Sequence, residues 1–197
     1  MILIFLMISA QTPMLLDGDV LASNSIVINE FMSHPSSSCT EADGEWIELY
    51  NNTNDWINLS DWVLKNNYGE EITLSTYLLP PDGYYVLGAC GDETLNGGHT
   101  PNYVYSGFTI HESGSISLFN SASNLIDEIE YDSSWPIQPG ISCERINPGW
   151  VSNNASTWDL ATLSFGSGDM GTPGIQNSVY TNSFAQNSWA FIKAFVD

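Results

Sequence analysis

The sequence predicts an all-β chain folded as an antiparallel sandwich or barrel, and three observations carry that prediction. Apolar and polar residues alternate in short runs; clusters of Gly, Pro, Asn, Asp and Ser separate the runs at sandwich-like spacing; and helical periodicity is hard to find anywhere. No alternation of strands with helices suggests a parallel sheet, and no repeat period emerges.

The first predicted strand is Ile26-Val27-Ile28-Asn29-Glu30-Phe31-Met32, rich in β-branched residues and ended by His34-Pro35 and a serine run. The second covers residues 45–50, opened by Asp43-Gly44 and closed by Asn51-Asn52. A period of two turns Ile47 and Leu49 inward and Glu48 to the opposite face. Asn51 and Asn52 suit a loop in which side-chain amides bond the local backbone. Residues 56–64 read as a third strand, kinked at Leu59-Ser60-Asp61. Trp62 and Val63 cannot both face inward on a regular strand, so the kink decides between them. Residues 84–87 come after Pro80-Pro81-Asp82-Gly83, a tight turn in which Gly83 is expected to supply a positive φ. Residues 115–119 and 125–131 form a hairpin across 120–124. Residues 141–146 and a short strand around Trp158 bring the total to roughly eight or nine strands. Gly171-Thr172-Pro173-Gly174 then halts regular structure.

Across 197 residues, 43% are hydrophobic, with seven Trp, nine Tyr and eight Phe, enough for one buried core. Twenty-three acidic residues face only Lys65, Arg145 and Lys193, for a net charge of −20. Such a surface repels phosphate backbones and anionic lipids, so direct nucleic-acid binding is not expected. Cations, cationic polymers, neutral glycans and basic proteins remain as partners; a salt-adapted or merely soluble surface is the plainer reading.

The opening MILIFLMISA has the length of a signal-peptide core, with a small-residue exit at Val20-Leu21-Ala22 and a mature chain starting at Ser23. No Lys or Arg precedes it, and Pro13, Asp17 and Asp19 interrupt the segment between it and that exit; a disordered N-terminus is the rival reading. The expected organisation is therefore 1–22 as signal peptide or disordered N-terminus, 23–178 as the folded domain, and 179–197 as a linker or the start of a further element. The expected location is extracellular or at the cell surface. No later stretch approaches a transmembrane helix.

Cys39, Cys90 and Cys143 lack the close spacing of a zinc site. In an oxidising compartment Cys39 and Cys90 are the favoured pair, and closing a loop of roughly 50 residues would stabilise the fold by about 4 kcal/mol. Cys143 is expected as a buried thiol, and three free cysteines are the alternative. Asn51, Asn58 and Asn154 open glycosylation sequons, which an Asn-rich chain also produces by chance.

Catalytic signals are few. His34, His99 and His111 lie far apart and are expected as surface polar residues. No nucleophile elbow or phosphate-cradling glycine loop is present. Glu45 with Glu48, and Glu128 with Glu130, are carboxylate pairs of the kind glycosidases use, but Glu128 and Glu130 share one face of a strand, where a solvated edge is the default. The one metal candidate is calcium at Asp92, Thr94 and Asn96, which match the opening of a calcium loop before Gly97. Tyr103 stands where that loop needs its bidentate Glu, and a polar hairpin is the plainer reading. No other cofactor is expected. Trp46, Trp56, Tyr84 and Tyr103 are candidate outward aromatics for stacking on sugars, against core packing as the plainer role.

Taken in order, several segments resemble the lamin tail domain family in its secreted prokaryotic form. They are residues 26–31, 44–52, 57–64 and 79–87, then Asp127-Glu128-Ile129-Glu130-Tyr131, Ser142-Cys143-Glu144-Arg145 and Gly171-Thr172-Pro173-Gly174. The resemblance spans roughly residues 24–178, within ordinary single-domain size. It implies an immunoglobulin-like β-sandwich and, for secreted members, a non-catalytic binding or anchoring module. Its partner would be a cell-surface polymer, glycan or protein. The alternative is an accessory fragment of a secreted hydrolase, a nuclease or phosphoesterase, whose catalytic domain is not in this chain; a structural spacer is a third reading. No coiled-coil rod is expected ahead of the domain, and the nuclear members' association with chromatin is not expected to carry over to so acidic a surface.

Overall fold

The computed structural model describes residues 25–36 and 39–181. The expected leader and the segment 182–197 lie outside the described residues. The strands are β1 (Ile26–Met32), β2 (Trp46–Asn51), β3 (Ile57–Asn58), β4 (Val63–Asn66), β5 (Glu71–Thr73), β6 (Leu78–Leu79), β7 (Tyr84–Gly88), β8 (Tyr103–Val104), β9 (Gly114–Phe119), β10 (Leu125–Tyr131), β11 (Cys143–Arg145) and β12 (Trp158–Leu160). A single helical turn, α1 (Glu41–Gly44), precedes β2.

They form a six-stranded sheet in the order β12-β11-β1-β2-β7-β8, a four-stranded sheet β10-β9-β4-β5 and the pair β3-β6. Every pairing is antiparallel except β7 with β8. This is the immunoglobulin-like sandwich that the resemblance implies. Ile28, Phe31, Ile47, Leu49 and Leu87 of the larger sheet share one buried core with Leu64, Ile116, Leu118 and Ile129 of the smaller. Ile47 and Leu49 face inward as period two requires, and burying each such side chain contributes about 1.5–3 kcal/mol.

The expected strand at 56–64 is two strands in different sheets, because Asp61 adopts φ +61° and turns the chain between them. Trp62 takes the inward place at 2% exposure, and Val63 is only half-buried. In the turn before β7, the positive φ falls on Asp82 (+55°) and not on Gly83. Asp tolerates that conformation, and the Tyr50 hydroxyl holds its carboxylate at 2.9 Å. Gly83 is required for room instead, since a Cβ there would come within 2.7 Å of the Pro80 ring.

β1 is buried along its whole length, so both faces of the sheet are covered there. The core lies on one face. On the other, a strap formed by residues 161–181 crosses the sheet, tied by Ala161 N–H to Ser142 O, Ser142 N–H to Met170 O and Thr181 N–H to Ile146 O. Phe165 of the strap packs on Met32, Trp46 and Val86 in a small second core. Thr172-Pro173-Gly174-Ile175 is a β-turn closed by Ile175 N–H to Thr172 O, with Gly174 at φ +87° in the position where type II turns call for glycine. Among the described residues no helix is long and apolar enough to cross a membrane.

Candidate functional site

The face beneath the strap carries a row of carboxylates that period two alone would not produce. The register of β1 against β2 shifts between Ile28 and Glu30, a bulge that sets Asn29 apart. Ile28 before it and Phe31 after it both face the core. Glu30 therefore lies directly opposite Glu48 of β2 on one side and Glu144 of β11 on the other. All three are fully buried. Like charges facing each other across strands destabilise a sheet, and a buried carboxylate needs partners for every lone pair.

The strap supplies those partners. Glu30 accepts from Ser142 Oγ at 2.5 Å and Thr172 N at 2.8 Å, and its Oε2 lies 2.8 Å from Thr172 Oγ1. Glu144 is met by Thr172 Oγ1 at 2.8 Å, Ser178 Oγ at 2.8 Å and Val179 N at 3.0 Å. Glu48 accepts from Asn29 Nδ2 at 2.8 Å and Gly174 N at 2.6 Å. Asn177 completes the network, its amide donating to Asn29 O and Arg145 O. Thr172 has one hydroxyl proton for two carboxyl groups, so one of its two contacts uses a carboxyl proton. Burial, reinforced by Glu144, lifts Glu30 to about 8, and burial with Glu30 nearby lifts Glu48 well above the ordinary carboxylate range. Glu30 is thus the natural proton carrier at neutral pH. Gly171 is needed where the strap descends, because a Cβ would meet Phe165, Ser142 and Glu30 at 2.9–3.1 Å.

Beside the row, Arg145 Nη1 pairs with Asp127 at 2.9 Å, both side chains buried, and the second guanidinium nitrogen donates to Trp150 O. Asp127 comes from the smaller sheet and also accepts from Ile28 N at 2.8 Å, so the pair stitches the two sheets at the bulge.

Two cavities flank the strap, and Tyr84 lines both. One, of about 310 Å³, is walled by Tyr50, Tyr84 and Tyr180 with Asn52, Asn147 and Gln176. The Tyr50 and Tyr84 rings lie 5.0 Å apart at 39°. Burial first, then Glu48, pushes the Tyr84 phenol up to about 12, so it stays a neutral donor. The other cavity, of about 520 Å³, is lined by Val86, His99, Asn102, Phe165, Pro173 and Ile175 among others. Tyrosine rings and side-chain amides make up most of the first wall, with Asp82 and Arg145 also on it, while the second mixes aromatic and hydroxyl groups with aliphatic ones. Rings and amides together suit stacking and hydrogen bonding with a neutral, hydroxyl-bearing ligand.

The residues singled out in the sequence are scattered. Asp92 Oδ1 accepts from Thr94 N and Oγ1, and buried Asn96 accepts from Gly98 N and His99 N, so the side chains of the expected calcium loop are committed within it. Cys39, Cys90 and Cys143 are free thiols, so the favoured Cys39–Cys90 bond is not made; Cys143 is buried as expected. His99 is not a surface residue: it is 2% exposed, packed 5.9 Å from Trp46, and held neutral by burial, which pushes it down to about 4. Trp46 is buried and unavailable for stacking, and Tyr103 spends its hydroxyl on Thr73 O. Trp56 is exposed, and Tyr84 alone of the four lines the cavities beside the strap. Glu45 and Glu48 do not form a pair, since Glu45 bonds Ile110 N while Glu48 lies under the strap. Glu128 accepts from Ser117, and Glu130 is exposed. Sequence reasoning missed Glu30, Glu144, Thr172 and Asn177 as one cluster, and Tyr50 and Tyr180 as cavity walls. The available signal was an acidic residue inside three otherwise strand-forming runs.

A family model described as Lamin Tail Domain matches residues 20–133, more than half of the chain and everything from β1 through β10. No curated protein matches the sequence.

Proposed function

The chain belongs to the lamin tail domain family, and from that premise we propose that it is a non-catalytic, extracellular binding module. Its strap-side cavities take a neutral, hydroxyl-rich polymer such as a cell-surface glycan. The observation that carries this reading is Tyr84, whose ring lies 5.0 Å from that of Tyr50 and which lines both cavities, the first of them rich in tyrosine rings and side-chain amides. Planar rings present a face to the apolar side of a sugar, and side-chain amides match its hydroxyls. The buried carboxylates support a non-catalytic role, because their oxygens are taken up by the strap's N–H and O–H groups. A net charge of −20 argues against polyanions, nucleic acids included. The apolar N-terminal run supports export.

The test is a glycan-array screen of the full chain, repeated with Tyr84→Ala. Binding to a neutral glycan class that is lost in the variant, with the melting temperature kept, supports the reading. A blank array, binding untouched by the substitution, or turnover of the bound glycan overturns it.

A further inference from the structure

The three carboxyl groups beneath the strap are also what fastens it. Asn29 Nδ2 and Ser142 Oγ meet them from the sheet side, whereas Thr172 N, Thr172 Oγ1, Gly174 N, Ser178 Oγ and Val179 N meet them from the strap. From 171 to 179 the strap joins no strand, and its backbone-to-backbone bonds stay within the strap: Gly171 N–H reaches Leu163 O and Ile175 N–H reaches Thr172 O. Apolar packing adds little at the tip, where Ile175 is 57% exposed. What holds this stretch to the sheet is therefore the carboxyl network and the Asn177 amide, which bonds Asn29 O and Arg145 O. Its departure would take apart both flanking cavities, since Gln176 and Asn177 wall one and Pro173, Gly174 and Ile175 the other.

That network holds only with a proton in it. The single Thr172 hydroxyl proton serves contacts to both Glu30 and Glu144, so one of the two uses a carboxyl proton. No positive charge stands by to replace that proton. Residues 161–181 include no Lys, Arg or His; their titratable side chains are Asp169, which accepts from Ser36 N, and Tyr180, on a cavity wall. Around Glu30 on the sheet stand Glu48, Glu144, Cys143 and Tyr84, none of them a cation, and Arg145 is already matched by Asp127 at 2.9 Å. Loss of the proton leaves like charges face to face in a dry site. Water reaches them with the least disruption if the stretch that joins no strand lifts. Burial, with Glu144 beside it, places that loss for Glu30 at about 8.

We propose that residues 171–179 form a proton-held latch: a carboxyl proton between Glu30 and Glu144 keeps the stretch seated, and its loss in alkaline solution lifts the stretch off the sheet while the sandwich stays folded. As regulation of the two cavities this rests on the binding reading above; the lifting itself does not. The test is hydrogen–deuterium exchange, read by mass spectrometry, on the full chain and on Glu30→Gln without glycan, from pH 5 to pH 9. In the native chain, peptides covering 171–179 should exchange about tenfold faster or more than those of β9 and β10, the mark of local opening. Corrected for the chemical exchange rate, their protection should fall by up to about tenfold per pH unit until about pH 8, because opening releases one proton. Glu30→Gln should make that fall shallower. Exchange at 171–179 no faster than in β9 and β10, protection that does not fall with pH, or an equal fall in the variant would overturn the proposal. Where the variant does not fold, the first two outcomes decide on the native chain alone. A neutral glycan found on the array should also lose affinity for the native chain at pH 9 and keep it for the variant. Unaltered native affinity would cut the link between latch and cavities, whereas a blank array would overturn the binding reading and leave the latch standing.

Discussion

Replacing Glu30 by Gln tests whether the row of carboxylates beneath the strap is held by a proton. In the native network Glu30 Oε1 accepts from Ser142 and Thr172 N, while Oε2 shares the Thr172 hydroxyl with Glu144. With a proton on Oε2, Glu30 donates to Thr172, which is then free to donate to Glu144. A glutamine reproduces that arrangement without titrating: its oxygen keeps both acceptor bonds and its amide donates to Thr172. The carboxyl of Glu30 rises from 4.5 to about 8 on folding, so the folded state binds the proton more tightly than the unfolded chain. A raised value means the contribution is complete below the unfolded value and is lost as pH climbs through the folded one, at about 1.4 kcal/mol per pH unit between them. From pH 5 to pH 8 the ceiling for this one residue is about 4 kcal/mol. Urea unfolding followed by tryptophan fluorescence should therefore show the two proteins within about 1 kcal/mol at pH 5, and the variant more stable at pH 8. Glu48 and Glu45 are also raised, so the variant should keep a shallower slope of the same sign. Parallel curves for the two proteins, or a variant weaker than native at pH 8, would show that Glu30 is charged in the folded state and would refute the reasoning.

Three further outcomes are expected. Asp127→Asn should destabilise the fold by about 3–5 kcal/mol in the same assay, because it leaves the buried Arg145 guanidinium without its counter-charge; a loss below about 1 kcal/mol would mean the pair is not desolvated. Thiol labelling of the native chain should reach the half-buried Cys39 and Cys90 and spare Cys143, with all three reacting after unfolding; a single reactive thiol in the unfolded, unreduced chain would reveal a disulfide. Millimolar calcium should leave the melting temperature unchanged, since the Asp92 and Asn96 side chains already bond their own loop, and a rise of several degrees would contradict that.

The strands most legible from the sequence have enough length to show alternation: β1, β2, β7, β9 and β10 each span five to seven residues, while β11 and β12, of three residues each, fall within the strands expected at 141–146 and around Trp158. β5, β6 and β8 have two or three residues and are defined by their partners, so no local period betrays them. The apparent calcium loop shows how one spacing serves two ends. Asp92 with Thr94 and Asn96 with Gly98 are side-chain-to-backbone turns two residues long, and that repeat places oxygen-bearing residues at the same intervals as metal ligands. His99 reads as a surface residue for a related reason: its sequence neighbours are polar, and what buries it comes from Trp46 and Phe165, each more than fifty residues away.

The Glu30 row is the least legible feature, because it depends on the bulge at Asn29 and on a strap with no regular structure. Yet the short segments that carry the family resemblance meet there. Asn29-Glu30, Glu48, Glu144-Arg145 and Gly171-Thr172-Pro173-Gly174 are far apart in the chain and share one buried hydrogen-bond network. Their common task is to seat the strap: Gly171 clears the descent, Thr172 bridges two carboxyl groups, and Gly174 takes the left-handed turn that aims its N–H at Glu48. Seating the strap is also what creates the cavities on either side of it, since both take part of their wall from residues 171–180. The resemblance is therefore informative about scaffold and only indirectly about ligand. On the proposed reading, contacts to the ligand come from side chains outside that network: Tyr50 and Tyr180 in one cavity, Ile175 in the other, and Tyr84 in both. A substitution at Thr172 should disturb stability and binding together, whereas one at Tyr84 should separate them.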